Sequence, residues 1–94
     1  MYPLSVLTDF FSVVREDPRI GPTHISLYAA LLELWQRREF ENPLTLFSHE
    51  VMPLCKIAGV ATYHKSIRDL NRYGYIKYMP SHDRFTRSLV YLPG

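Results

Sequence analysis

Lys65, Arg68 and Arg72 follow one another at three- and four-residue spacing in the stretch GVATYHKSIRDLNRYGYIKYM, residues 59–79. On a helix of 3.6 residues per turn their charges form one stripe. Ala61 extends the stripe at its N-terminal end, Thr62 and Asp69 flank it, and His64 lies toward its other edge. A row of fixed cations suits contact with a polyanion. The charge of the whole chain is divided in the same sense. Residues 1–55 hold four arginines against seven acids, net −3, and residues 56–94 hold seven Lys and Arg against two acids, net +5.

Other chemistries find little support in the residues. The four histidines (His24, His49, His64, His82) and the single Cys55 show no CxxC, HxxxH or HExxH spacing, so neither a metal nor another cofactor is expected. Cys55 reads as a small core residue. There is no nucleophile elbow, no isolated pair of carboxylates and, with four glycines in all, no Gly-rich phosphate loop. The chain is not expected to be an enzyme. Tyr73, Tyr75 and Tyr78 lie near basic residues and could stack on single-stranded nucleic acid. Alternation instead puts Tyr78 on the inward side of a strand with Ile76.

The elements that must hold the stripe are legible from periodicity. Tyr63, Ile67 and Leu70 recur at i, i+4 and i+7, giving the basic helix an apolar anchor opposite its cations. Ser66 falls close to that inner face. Gly59 suits the N-cap, and Gly74 suits the left-handed position that ends a helix. Residues 75–79 then alternate as a strand. Upstream, residues 3–14 predict a helix with Val6, Phe10, Val13 and Val14 on one side. Residues 23–40 predict the longest helix, with one apolar arc at Ile25, Tyr28, Ala29, Leu32 and Trp35 and a second stripe at Leu27, Leu31 and Leu34. Two faces require two neighbours. The second stripe would meet either the N-terminal helix or the same surface of a second subunit, a dimer surface that Phe11 would share with Leu27, Leu31 and Leu34. Leu44-Thr45-Leu46 predicts a short strand. A helix capped by Ser48 and running to about Lys56 would turn Val51, Leu54, Cys55 and Ala58 inward, with Glu50 at the positive end of its dipole. Pro53 predicts either a later start or a looser first turn there. A turn-rich segment at 80–87 and a strand at 88–92 complete a hairpin.

A helix, a short turn, a second helix with a basic outer face, and then Gly-Tyr-Ile-Lys-Tyr resemble the winged helix-turn-helix superfamily. The resemblance is carried by Thr62, Ile67, Leu70, Gly74, Tyr75 and Ile76 and extends over residues 22–92. It implies a mainly α fold with a small antiparallel β-hairpin wing in one domain, residues 1–94. That domain would comprise an N-terminal accessory helix at about 3–14, a helix-turn-helix at about 48–73 and a wing at about 75–92. It also implies double-stranded DNA as partner, with the second helix of the motif in the major groove. On that basis Ala61, Thr62 and Lys65 would face base edges. Lys56, Arg68, Arg72, Lys77, Arg84 and Arg87, with help from His82, would meet phosphates or the minor groove. About five or six phosphate contacts would make binding strongly salt-dependent but poorly specific from one half-site, which makes a homodimer attractive.

The implied roles are transcription regulation or the DNA-binding part of a replication protein. The competing reading, from a different class, is a winged helix that contacts other proteins through its two-faced long helix and never binds DNA. One cysteine, no run of about 18 apolar residues and no leader pattern lead us to expect a cytoplasmic protein with no membrane partner.

Overall fold

Among the described residues, four helices surround one apolar cluster, and a small antiparallel sheet of three strands closes it on one side. The computed structural model describes residues 2–81 and 86–93. The helices are α1 (Tyr2–Val14), α2 (Pro22–Arg37), α3 (Ser48–Cys55) and α4 (Val60–Arg72), and the strands are β1 (Leu44–Leu46), β2 (Lys77–Met79) and β3 (Ser88–Tyr91). Among the described residues no helix is long and apolar enough to cross a membrane.

The centre of the fold is α2, which touches α1, α3 and α4. Pro22 stands at its first position, where a missing N–H costs nothing, and Gly21 is its N-cap. Leu27 and Leu31 have no exposed surface, and Trp35 has almost none. The second leucine stripe is therefore covered within the chain, and Leu27 and Leu31 are not available as a dimer surface. Only Leu34, half-buried, and Phe11, 37% exposed, remain of that predicted patch. Ala29, expected in the first arc, faces solvent.

The helix also ends three residues sooner than its pattern predicts. Glu39 and Phe40 take positive φ angles of 55° and 62°, the Phe40 N–H donates to the Trp35 carbonyl at 2.8 Å, and the two rings meet edge to face. That reversal seals the C-terminus of α2 and delivers the chain to β1.

Docking of α1 on α2 runs through Phe10. Its ring stacks on Tyr28 with centroids 3.9 Å apart and meets Tyr75 edge-on. Val6 is buried beside it, but Val13 stays 57% exposed because what lies next to it is an open groove between Phe10, Tyr28 and Tyr75. The loop between α1 and α2 is tied down separately. Asp17 accepts hydrogen bonds from the Arg19 guanidinium at 2.8 and 2.9 Å and from the Tyr75 hydroxyl at 2.7 Å.

Phe47, rather than Ser48, is the N-cap of α3, and the Glu50 carboxylate accepts the Phe47 N–H at 2.8 Å. Pro53 lies inside this helix, which does not start late; in its first turn the Glu50 N–H donates to the Phe47 carbonyl three residues back at 3.0 Å, and the missing amide of Pro53 leaves the His49 carbonyl without its usual partner. Val51 and Cys55 turn inward as expected. Leu54 and Ala58 do not, and Ile57 fills the core in their place, because Lys56 adopts the left-handed conformation and swings the following residue inward.

In the sheet β3 is central: Leu44 pairs with Val90 on one side, and Tyr78 pairs with Val90 on the other. Both flanking strands bury alternate residues, as a half-covered sheet should. Two strand ends are shorter than their patterns predict. The N–H groups of Tyr75 and Ile76 both turn back to the Leu70 carbonyl to close α4, and Leu92 exchanges two hydrogen bonds with the Asn42 amide instead of a strand. Gly74 makes the turn with φ of +89°, in a place where an added Cβ would touch nothing within 4 Å. Gly74→Ala should therefore cost about 1 kcal/mol from backbone strain alone, with Gly74→Asn losing less. Paired thermal melts would expose an error if the alanine variant were as stable as the parent.

Candidate nucleic-acid interface

Sequence places Tyr63, Ser66, Ile67 and Leu70 at the spacing of one helix face, and all four are buried. Ser66 also donates to the Thr23 hydroxyl at 3.1 Å, fixing α4 to the first turn of α2. Anchoring that face forces the opposite one outward. Ala61, Thr62, Lys65, Arg68 and Arg72 are all exposed, and Ala61, Lys65, Arg68 and Arg72 line one continuous shallow surface. A cleft of about 500 Å³ continues from it between α4 and the β2–β3 hairpin. Arg68 and His64 border both, so Arg68 stands at the junction of helix and hairpin. The His64 Nδ1 is enclosed and has no hydrogen-bond partner among the described residues.

One residue of the stripe departs from expectation. Asp69, placed at the flank of the outward face, is buried with 2% of its surface exposed. One carboxylate oxygen accepts from His24 Nε2 at 2.9 Å and from Lys65 Nζ at 3.0 Å, and the other accepts from Arg72 at 2.7 Å. His24 Nδ1 in turn accepts the Gly21 N–H at 2.9 Å, so the Nε2 hydrogen is the one directed at Asp69. Burial pushes the Asp69 carboxyl up, but the hydrogen bonds from His24, Lys65 and Arg72 outweigh it and hold the group at about 2. The i+4 and i+3 spacing to Lys65 and Arg72 was visible in sequence; the partner 45 positions away on α2 was not.

Glu50 plays a similar part near the hairpin. Arg38 bonds it at 2.6 Å and Arg87 pairs with it too, while the Arg87 guanidinium lies 4.7 Å over the Phe47 ring. Burial raises the Glu50 carboxyl; the Phe47 N–H and the two arginines reverse that and leave it lowered. Sequence assigned Glu50 only to the helix dipole.

The remaining expected contacts are scattered. Lys56 is exposed but borders a separate apolar groove with Met52, Pro53 and Ile57. Lys77 lies 5.5 Å over the Tyr91 ring on the outer side of the hairpin. Arg84 and His82 lie outside the described residues. The tyrosines weighed for base stacking are occupied: Tyr78 is buried, Tyr75 is held by Asp17, and Tyr73 carries the Arg19 guanidinium at 4.1 Å. No family model matches the chain, and no curated protein or solved structure matches it either. Cys55 is buried, and among the described residues no three His, Cys, Asp or Glu side chains are grouped to hold a metal.

Proposed function

We propose that the chain is a winged helix-turn-helix module that binds double-stranded DNA. Transcription regulation or the DNA-binding part of a replication protein would both use it in this way. One observation carries the reading: the exposed surface of α4, where Ala61, Lys65, Arg68 and Arg72 are contiguous on a helix anchored by its other side. The order of helices and strands around α4, with the β2–β3 hairpin beside it, supports the same fold family. Ala61 and Thr62 would offer methyl groups to thymine, and Lys65 a donor to guanine, near the start of the helix. Arg68 would meet phosphate at the helix–hairpin junction, with Arg87 at the base of the hairpin.

Fluorescence anisotropy on a mixed-sequence duplex tests this. Micromolar or tighter binding is expected, weakening linearly in log salt and failing in the Lys65→Ala, Arg68→Ala double variant. A folded protein that ignores duplex even at low salt would remove the reading.

A protein-contact role is favoured by a different surface. On one side of α1, Leu4 and Phe11, seven residues apart, are 59% and 37% exposed, an apolar pair unusual for a solvent-facing helix side. If that surface carries the function, Leu4→Ser with Phe11→Ser abolishes association and leaves duplex binding unchanged. If DNA binding falls with those substitutions, α1 belongs to the DNA-bound assembly instead.

A further inference from the structure

The three outward cations of α4 are not equivalent. Lys65 and Arg72 both reach back to Asp69, at 3.0 and 2.7 Å, while Arg68 has no ion pair among the described residues. The side chains of Lys65 and Arg72 are 75% and 70% exposed, but that of Asp69 is 3% exposed. A carboxylate so enclosed has little access to water and relies on these two cations and His24 for its solvation. Drawing Lys65 and Arg72 away to phosphates would leave a nearly buried charge held by a single imidazole N–H, which is costly. Asp69 also cancels one of the three positive charges that α4 presents.

From this geometry we propose that Asp69 is a positioning residue that decides which cation of α4 grips phosphate: it withholds Lys65 and Arg72 from sequence-blind backbone binding and leaves that task to Arg68. The proposal rests on the DNA-binding reading of α4. Lys65 is then presented toward a base edge from a fixed base, as a donor that reads rather than clings. Because His24 anchors the same carboxylate to α2, the aim of both cations is set by the core and not by helix surface alone.

Salt titration on a mixed-sequence duplex separates the cations, since each phosphate neutralised contributes about 0.9 to the slope of log affinity against log salt. In the otherwise unchanged protein, Arg68→Ala is expected to lower the slope by about 0.9 and Arg72→Ala by less than half of that. Asp69→Asn is expected to raise the slope by about 0.9 for each of Lys65 and Arg72 that reaches a phosphate, and to tighten mixed-duplex binding by about eightfold per cation at roughly 0.1 M salt. In that background Arg72→Ala should regain the full effect. A purely structural Asp69 would instead weaken binding and leave the ranking of the arginines alone.

Equal losses for Arg68→Ala and Arg72→Ala overturn the proposal, as does a folded Asp69→Asn protein with an unchanged or shallower slope. Should Asp69→Asn fail to fold by circular dichroism, the two single arginine variants, both at exposed positions, decide the matter alone. A parent protein that binds no duplex at low salt overturns the DNA reading itself and this inference with it. Parent binding with equal arginine effects overturns only the role of Asp69.

Discussion

Leu31→Ala is expected to lower the melting temperature by roughly 12–24 °C, and by the same amount at any protein concentration. Leu31 has no exposed surface and sits in the one apolar cluster shared by the four helices and the sheet. Truncation there removes about three methyl-sized groups and leaves a cavity that α1, α3 and α4 cannot all close, a loss of about 3 kcal/mol. For a chain of this size each kcal/mol shifts the midpoint by about 4–8 °C. Concentration is the informative axis. Had the leucine stripe been a subunit interface, the loss would shrink as dimer is favoured by mass action. Melts across a concentration series, read beside sedimentation, check this, and a loss that vanishes in concentrated protein would contradict intrachain burial. Phe11→Ser, at the exposed side of α1, should by contrast stay within about 0.5 kcal/mol of the parent.

Asp69→Ala has the second largest expected effect, about 3 kcal/mol, because it strands the His24 N–H in the core and releases the tie between α2 and α4. The same group makes stability depend on acid. Its carboxyl titrates at about 2 when folded against an ordinary value of 3.8, so the folded state binds the proton less readily. Its contribution is therefore complete above about pH 4 and is lost as the pH falls through about 2. Asp17 acts in the same direction, its carboxyl held well below the usual range by hydrogen bonds from Arg19 and from the Tyr75 hydroxyl. The midpoint of thermal unfolding should drop across that acid window in the parent and drop less in Asp69→Asn. A profile that is equally steep in both would mean that the buried carboxylate is not the linked group.

Much of the architecture was written in local pattern. The 3.6-residue spacing of Tyr63, Ile67 and Leu70, the glycines at 59 and 74, and the alternation of Leu44-Thr45-Leu46 each specify an element without help from the rest of the chain. They could be read because one buried side per element leaves a period in the sequence. The exposure of Ala61, Thr62, Lys65, Arg68 and Arg72 followed from the same period, since burying one side of a helix dictates the other. Where α2 stops was less legible, because Glu39 and Phe40 reverse the chain through conformations that their side chains do not announce.

What only the tertiary structure decided is how the charges are shared. Sequence assigns Lys65 to base edges and Arg68, Arg72 and Arg87 to phosphates or the minor groove, without showing which of them already holds a carboxylate. The fold brings a carboxylate from the underside of α4 to two of them, with His24 from α2 behind it, and brings Glu50 at the start of α3 to Arg87. Those pairings join residues up to 45 positions apart, a distance over which no period operates. The stripe on α4 is thus fixed by composition and helical geometry, but the availability of each charge on it is set by what the core places beneath.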